Sequence, residues 1–280
     1  MKTRPDWLRK KINLQETLKL HKLFRMHNLH TVCKEALCPN IGECFSKKVA
    51  TFLIMGNSCT RNCNFCAVKK GVPDKIDPDE PQRVAKAVKK LGLKHVVITS
   101  VTRDDLEDGG AGIFSDTIRA LKALDKDLKV EVLVPDFKAN ISSIKKVIRA
   151  SPDIFAHNLE TVPALYGKVR QGAQYERSLD VLTKAKSFNK NVYTKSGLML
   201  GLGETEEGVL EVLSDLRRAQ CDFLSLGQYL APSKKHFPVH DFIDPDKFID
   251  YKNKAVKLGF LHVQSGPYVR SSYGAHEYLN

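Results

Sequence analysis

The feature that most restricts the fold is a regular alternation of short apolar runs with longer segments of helical periodicity. The six runs are rich in β-branched residues and cover residues 51–56, 94–99, 129–134, 153–158, 192–200 and 222–227. Candidate helices lie near 79–91, 113–124, 139–150, 175–188, 206–219 and 245–258. Nearly continuous apolar strands alternating with helices indicate a parallel sheet covered on both faces. Six units are too few for a closed eight-unit barrel, so the pattern predicts an α/β fold, a partial, open (β/α)6 TIM-like barrel.

Composition agrees with a single barrel that carries terminal extensions. The chain has 280 residues, of which 42% are hydrophobic and 28% charged, enough to build a core. No apolar run reaches the ~18 residues of a membrane span. The basic start of the sequence contains Asp6 and has no apolar stretch behind it, so a targeting segment is not indicated. We therefore expect a cytoplasmic protein without a membrane span.

The charge balance favours acidic partners. Lys and Arg number 45 against 32 Asp and Glu, a formal net charge of +13. The basic residues are scattered and form no stripe with interleaved aromatic residues, so nucleic acid is not the expected partner. A generally solvated basic surface is the alternative interpretation.

Six of the seven cysteines fall into two triplets, and these carry the functional signal. The first, C-K-E-A-L-C-P-N-I-G-E-C, contains Cys33, Cys38 and Cys44; the second, C-T-R-N-C-N-F-C, contains Cys59, Cys63 and Cys66. Such short loops let soft thiolates converge on one inorganic cluster. Structural zinc normally takes four protein ligands, often from paired C-x-x-C arms, and an odd cysteine count in a reducing compartment disfavours disulfides. Each triplet therefore either leaves one metal position open or takes a fourth ligand from elsewhere.

Polar residues follow the carboxyl ends of several predicted strands, where parallel barrels place their reactive groups. They are Cys59, Thr99, Ser100, Asp136, Asn158, Glu160, Gly201 to Glu204, Gln228 and Tyr229. Each of them alone is also typical of a turn or a helix cap. Their joint position predicts a site at this end of the sheet.

The second triplet, with Phe65 before its last cysteine, resembles the cluster motif of the radical S-adenosylmethionine (SAM) superfamily. The resemblance implies that Cys59, Cys63 and Cys66 hold three irons of a 4Fe–4S cluster and that SAM chelates the fourth. It further implies reductive cleavage of SAM to a 5'-deoxyadenosyl radical, with the difficult chemistry supplied by the cofactors.

A narrower resemblance is carried by the first triplet together with motifs along the chain. Their spacing and sequence are similar to those of the lipoyl synthase family over about residues 28–275, with motifs at 99–111, 157–162, 194–205, 227–233 and 266–273. One departure is Gln171, where the family pattern predicts proline. The resemblance implies insertion of two sulfur atoms at carbons 6 and 8 of a protein-bound octanoyl-lysine, with two SAM consumed. Cys33, Cys38 and Cys44 would hold an auxiliary 4Fe–4S cluster that donates the sulfur.

The resemblance also suggests the remaining site residues. A serine of the carboxy-terminal R-S-S-Y motif would be the fourth ligand of the auxiliary cluster; we favour Ser272, with Ser271 as the alternative. Asn158, Glu160 and Lys195 are the candidates for holding SAM, from their expected position at strand ends and from the resemblance. Arg270 would orient the tail or meet the substrate.

Three segments are expected: an extension at 1–48 with the auxiliary-cluster cysteines, the radical SAM partial barrel at 49–260, and a closing extension at 261–280. The implied partners are an octanoylated lipoyl carrier, expected to be acidic, and an electron donor such as a ferredoxin or flavodoxin. Two alternatives remain. One is another two-cluster radical SAM enzyme, such as a biotin synthase-like sulfur inserter or a methylthiotransferase; the other is a basic, zinc-containing nucleic-acid-binding protein.

Overall fold

The computed structural model describes residues 4–8, 22, 24–38, 40–46 and 51–279. The chain divides into two compact units. The amino-terminal unit comprises Lys11–Arg61 and Ala67–Phe155, and the carboxy-terminal unit comprises Met1–Lys10, Asn62–Cys66 and Ala156–Asn280. The expected segment boundary at residue 48 lies outside the described residues.

The amino-terminal unit is built on parallel strands. Its strands are β1 (His30–Thr31), β2 (Thr51–Ile54), β3 (Ser58–Cys59), β4 (Lys69–Lys70), β5 (His95–Ser100), β6 (Lys129–Leu133) and β7 (Ile154–Ala156, whose last residue belongs to the other unit). The main sheet runs in the order β1–β2–β5–β6; β1 is antiparallel to β2, and the other two pairings are parallel. Strands β3 and β4 form a separate parallel pair that includes Cys59.

The helices of this unit whose bounds are described are α1 (Val32–Glu35), α2 (Ile41–Ser46), α3 (Glu80–Leu91), α4 (Ala111–Leu124) and α5 (Ile141–Arg149). Local sequence explains their ends. Pro81 lies in the first turn of α3, where its missing N–H costs nothing, and Gly92 ends that helix in the left-handed conformation. The Asn140 side chain caps α5 by accepting from the Ser143 N–H at 3.1 Å.

Glu80 is a buried carboxylate with a structural task. It is 5% exposed, and its Oε2 accepts from the Met55 N–H at 2.7 Å. Met55 follows β2 with a φ of 66°, unusual for a residue with a side chain. Burial raises the pKa of Glu80 even though this bond lowers it.

We expect Glu80→Ala to reduce the free energy of unfolding by about 1–3 kcal/mol, because it leaves the buried Met55 N–H unsatisfied. Glu80→Gln keeps an acceptor and serves as the matched control. Because the folded-state pKa of Glu80 is raised, its contribution to stability grows as the pH falls through that pKa, and Glu80→Gln should remove this gain. Urea denaturation at several pH values measures both effects; equal stability of Glu80→Ala and the unsubstituted chain would contradict the assignment.

The carboxy-terminal unit repeats the strand-and-helix pattern. Its elements are α6 (Tyr166–Val169), α7 (Tyr175–Phe188), β8 (Tyr193–Leu200), α8 (Glu206–Arg218), β9 (Phe223–Gln228), α9 (Pro245–Lys257) and β10 (His262–Gly266). Strands β8, β9 and β10 are neighbours in that order, and both pairings are parallel. The buried apolar faces of these helices and strands form the core, with Leu198, Leu213, Leu226 and Phe248 each less than 5% exposed.

Gln228 fixes the loop that follows β9. Its fully buried amide donates to the carbonyl oxygens of Leu200, Tyr229 and Asp241 at 3.1, 3.0 and 2.9 Å, and its Oε1 accepts from the Ile243 N–H at 2.8 Å. Gly201, with a φ of +95°, faces the Asp241 carbonyl so closely that a Cβ there would overlap it. The glycine thus serves loop packing.

The sequence predictions are confirmed for all six strands and all six helices, with ends shifted by a few residues. Strand β10 was not predicted. Its sequence, H-V-Q-S-G, is mostly polar and only Val263 is buried in it, so it lacks the apolar signal of the other strands. It lies in the expected closing extension and pairs with β9. No helix in the described part of the chain is long and apolar enough to cross a membrane.

Candidate active site

The first cysteine triplet lies on a short local scaffold in the amino-terminal unit. Thr31 begins it: its hydroxyl donates to the Thr51 carbonyl at 2.8 Å and accepts from the Cys33 N–H at 3.2 Å. The Cys38 N–H then donates to the Cys33 carbonyl at 3.0 Å, and the Cys44 N–H donates to the Asn40 carbonyl at 2.9 Å. Cys33 is buried, whereas Cys38 and Cys44 are partly exposed. Backbone bonds therefore fix the chain at all three cysteines.

Cys59 ends β3, and its sulfur accepts two backbone hydrogen bonds. The donors are the N–H groups of Arg61 at 3.4 Å and of Thr102 at 3.3 Å. Amides aimed at a sulfur stabilise negative charge on it, as a thiolate ligand of an iron–sulfur cluster requires. This environment fits the cluster that the sequence implies.

Arg61, next to Cys59 in the motif, pairs with two carboxylates. Its guanidinium makes two hydrogen bonds to Asp104 and two to Asp136, at 2.6–2.9 Å. Burial alone would lower the pKa of Arg61, but these bonds outweigh it and raise the pKa above its ordinary value. In the sequence, Asp136 stands out only as a strand-end residue, and neither Arg61 nor Asp104 carries a signal of this pairing.

Cys63 and Cys66 lie in the carboxy-terminal unit on a segment held through Asn64. The Asn64 side chain donates to the Lys168 carbonyl at 2.7 Å, and its backbone N–H donates to the Val169 carbonyl at 2.9 Å. The Cys66 N–H donates to the Cys63 carbonyl at 3.2 Å, which closes a tight turn between them. Both cysteines are partly exposed, as ligands that must meet a cofactor should be.

Phe65 and Tyr229 provide the apolar surroundings of this segment. Phe65 packs against a small cluster formed by Val169, Leu202 and Tyr229. Burial raises the pKa of Tyr229, and the negative charge of a Cys66 thiolate adds to the effect. The Tyr229 hydroxyl donates to the Phe237 carbonyl at 2.6 Å, and the Phe237 N–H donates to the Asn64 carbonyl at 2.8 Å. Tyr229 is thereby linked to the segment that carries the two cysteines.

Arg170 is a buried cation in the same unit that the sequence analysis did not assign to the site. Its guanidinium donates to the Tyr166 hydroxyl at 2.9 Å and to the Ser178 hydroxyl at 3.0 Å. Burial lowers its pKa, but the charges of Tyr166, Glu160 and Cys63 outweigh burial and raise it. Arg170 therefore adds positive charge near Cys63, which favours the thiolate.

Asn158 and Glu160, both predicted to hold SAM, lie together after β7. The Asn158 amide donates to Glu160 Oε1 at 2.9 Å and to the Ser271 hydroxyl at 2.5 Å. Its own Oδ1 is buried and makes no hydrogen bond. Burial raises the pKa of Glu160, and the charge of Arg170 only partly offsets this. An acceptor without a donor beside a partly buried carboxylate suits an amino group, such as that of SAM.

Lys195 is placed differently from the expectation. It lies near the amino end of β8 rather than at a strand's carboxyl end, it is 1% exposed, and its ammonium stands 3.7 Å from the centre of the Tyr278 ring. Its role in binding SAM stays a prediction.

The R-S-S-Y motif forms a turn in which the Tyr273 N–H donates to the Arg270 carbonyl at 2.9 Å. Arg270 donates to the Val269 carbonyl at 2.6 Å, and its role in orienting the tail or meeting the substrate stays a prediction. The Ser271 hydroxyl is the one that Asn158 contacts, and Ser272 is half-buried. The choice of Ser272 as the cluster ligand stays a prediction.

None of the seven cysteines forms a disulfide. Among the described residues, no three His, Cys, Asp or Glu side chains converge as a single metal ion requires. A 4Fe–4S cluster takes each thiolate at a different iron, so its ligands need not converge on one point. The seventh cysteine, Cys221, is fully buried.

Comparison with known proteins decides the family. Residues 53–216 match the Radical SAM superfamily. The chain is 57% identical over 273 residues to the lipoyl synthase of Caldicellulosiruptor bescii, covering 97% of this chain and 94% of the relative. It is 54% identical over 275 residues to that of Geotalea uraniireducens, covering 98% and 97%. The chain belongs to the lipoyl synthase family of the radical SAM superfamily.

Solved structures agree with this membership at the level of the fold. A crystal structure of methylornithine synthase (PylB) has a TM-score of 0.55 at 16% identity, covering 76% of this chain and 70% of that one. That of HydG, a maturase of the [FeFe]-hydrogenase, has a TM-score of 0.58 at 14% identity, covering 90% and 68%. The predicted fold class, a partial barrel of the radical SAM type with a mostly parallel sheet, is confirmed.

Proposed function

We propose that this chain performs the reaction of a lipoyl synthase, inserting two sulfur atoms at carbons 6 and 8 of an octanoyl-lysine on a carrier protein. The observation that carries the proposal is the near-full-length identity of 57% to a lipoyl synthase in a chain that contains both cysteine triplets. SAM and two 4Fe–4S clusters are the cofactors of this family. When bound, they supply a carbon-centred radical and the sulfur.

The two cysteine triplets supply two separate sets of thiolate ligands. We assign Cys59, Cys63 and Cys66 to the cluster that binds SAM. The amides that point at the Cys59 sulfur and the positive charge of Arg170 near Cys63 support ionised thiolates there. Three protein ligands leave one iron available to the cofactor.

We assign Cys33, Cys38 and Cys44 to the auxiliary cluster, with Ser272 as its fourth ligand. A serine oxygen is a harder ligand than a thiolate and a poorer partner for iron in such a cluster. Weak retention of one iron suits a cluster that must release sulfur.

Asn158 and Glu160 are proposed to bind SAM. Glu160 is partly buried and its pKa is raised. An ammonium group placed next to it would favour the ionised carboxylate and form an ion pair with it. The buried Asn158 Oδ1 offers the second acceptor. The two side chains thereby fix the orientation of the cofactor's amino group.

The carrier protein is the partner on which the enzyme acts. We propose that this carrier presents an acidic surface, because the enzyme carries a net charge of +13 and opposite charge speeds encounter. Salt should then slow the association. A reduced ferredoxin or flavodoxin is the proposed electron donor, and the cytoplasm the proposed location.

The proposal is tested by anaerobic incubation of the cluster-loaded protein with SAM, a reductant and an octanoyl-lysyl peptide. We expect the peptide to gain the mass of two sulfur atoms and 5'-deoxyadenosine to form. Deoxyadenosine without any gain of sulfur would reject the lipoyl synthase reaction and leave only membership in the superfamily.

Asn158→Ala should weaken SAM binding by about tenfold, the effect of about 1.4 kcal/mol, because it removes an acceptor and frees Glu160 from its partner. Equilibrium binding of SAM to the cluster-loaded protein measures the change. Thr183→Ala is the control, since this exposed-face hydroxyl of α7 bonds only to the Leu179 carbonyl in its own helix. Equal affinity of Asn158→Ala and the unsubstituted protein would remove Asn158 from the site.

A further inference from the structure

The segment that carries Cys59 is attached to the loop after β5 by an unusual number of bonds. The Thr60 N–H and hydroxyl both donate to the Thr102 carbonyl, at 3.1 and 2.9 Å. The Thr60 hydroxyl in turn accepts from the Asp104 N–H at 3.1 Å. This attachment places the Thr102 N–H against the Cys59 sulfur. The position of the sulfur thus depends on how well residues 59–61 are held.

Arg61 provides the strongest of these attachments. Its Nε and Nη2 donate to the Asp104 carboxylate at 2.7 and 2.9 Å, and its Nη1 and Nη2 donate to the Asp136 carboxylate at 2.9 and 2.6 Å. Paired bonds between a planar guanidinium and a carboxylate fix orientation as well as distance. Two such pairs fix the guanidinium of Arg61 in place. Through its side chain they restrict the movement of the backbone at residue 61.

The site of the second carboxylate is itself unusual. The Arg61 side chain is 8% exposed and that of Asp136 is 0% exposed, so the pair is withdrawn from water. Asp136 is followed by Phe137, Lys138 and Ala139, all with left-handed φ values of 46–55°. Three consecutive residues in this conformation are costly for side chains with a Cβ. Asp136 helps to hold them, because its Oδ1 accepts from the Lys138 N–H at 3.0 Å.

A buried ion pair beside a strained turn is a poor way to gain stability, since well-packed apolar residues serve as well or better. Such features are concentrated at functional sites, where they fix geometry. Here the four bonds of the Arg61 guanidinium and the bonds of Thr60 to Thr102 all involve the segment whose amides contact the Cys59 sulfur. The arrangement points to the thiolate as the group that is being positioned.

We infer that Arg61 is a positioning residue: held by Asp104 and Asp136, it fixes the Cys59 sulfur and the two amides that contact it before any cluster is present. The inference rests on the proposed role of Cys59 as a cluster ligand. Cys59 is then a preformed ligand, so the cluster should be retained longer. The two N–H groups that contact its sulfur should also influence the reduction potential of the cluster.

The first measurement uses the cluster-free, full-length protein. Hydrogen exchange of the Arg61 and Thr102 amides should be about tenfold faster or more in Arg61→Met, since the restraint on their bonds is lost. Arg61→Lys keeps the charge but cannot form two paired contacts, so it should recover only part of the protection. Unchanged exchange in Arg61→Met would overturn the inference.

The control is Arg83→Met. Arg83 lies in α3 of the same unit and pairs with Asp77 at 2.8 Å, away from the bonds that surround Cys59. It should leave both amides unchanged. Should Arg61→Met fail to fold, Asp136→Asn gives the same measurement, because it removes one charge while its amide carbonyl can still accept from the Lys138 N–H.

The second measurement uses the iron-loaded protein. A chelator should remove iron several-fold faster from Arg61→Met and Asp136→Asn than from Arg83→Met, and the electron paramagnetic resonance spectrum of the reduced cluster should change in the first two only. If amide exchange became faster while the rate of iron loss and the spectrum both stayed unchanged, the Arg61 bonds would be merely structural and the inference would be overturned. Failure of the proposed function would appear differently: an unsubstituted protein that binds no iron would remove the cluster role of Cys59, and one that forms deoxyadenosine without inserting sulfur would remove the lipoyl synthase reaction.

Discussion

Replacing Cys63 by alanine is expected to abolish both 5'-deoxyadenosine formation and sulfur insertion. The substitution removes one of three thiolates from the cluster that binds SAM, and no neighbouring thiol replaces it within the fixed turn between Cys63 and Cys66. Of about eight irons in the loaded protein, about four should be lost. Iron analysis and chromatography of the SAM products measure both outcomes.

Cys221→Ala is the matched control for this experiment. Cys221 lies in the same unit, is fully buried, and has a pKa raised to about 12, chiefly by burial. Such a thiol is not a ligand, so this variant should keep its iron and its activity with only a modest loss of stability. Deoxyadenosine formation by Cys63→Ala at the rate of the unsubstituted protein would refute the assignment of the second triplet.

Replacing Cys33, Cys38 and Cys44 together by alanine is expected to separate the two halves of the reaction. The cluster that binds SAM remains, so about four irons should be retained and deoxyadenosine should still form. No sulfur should enter the octanoyl chain, because the donor cluster cannot assemble. Mass spectrometry of the peptide product and quantification of deoxyadenosine measure the two halves independently.

The expected effect on sulfur insertion is complete loss, whereas radical formation should fall much less. Circular dichroism checks that the triple variant is folded. Its spectrum should be nearly unchanged, because the three cysteines lie on short helices and the turn between them and not in the strands of the main sheet. Sulfur insertion at the normal level by the triple variant would contradict the proposed source of sulfur.

The strands and helices could be predicted because each one is apolar or amphipathic over its own length. β5, for example, is a run of buried residues from His95 to Thr99, and α8 begins just after Thr205, whose side chain caps it. Local signals of this kind need no knowledge of tertiary contacts. β10 shows the limit, since its place beside β9 is set by pairing and not by its own composition.

The six cysteines could be predicted as ligands because short spacing in the sequence already forces proximity. Arg61, Asp104 and Asp136 could not, because their partnership joins segments 43 and 75 residues apart. Arg170 was hidden for the same reason: its partners Tyr166 and Ser178 are local, but its charge acts on Cys63, far away in sequence. Charged residues in a chain with 45 Lys and Arg give no signal of burial until the fold is known.

Lys195 shows how little a strand position alone says about a role. The motif T-K-S-G-L-M-L lies in a predicted strand, and the strand is present as β8. The lysine is the third residue of β8, at the end from which the chain enters the sheet, and its role in binding SAM stays a prediction.

The Gln228 side chain joins the two ends of the segment that follows β9. Its amide group contacts the carbonyl oxygens of Leu200, Tyr229 and Asp241, and its Oε1 accepts from the Ile243 N–H. A single substitution at Gln228 would therefore leave several backbone polar groups at both ends of residues 229–243 unsatisfied at once.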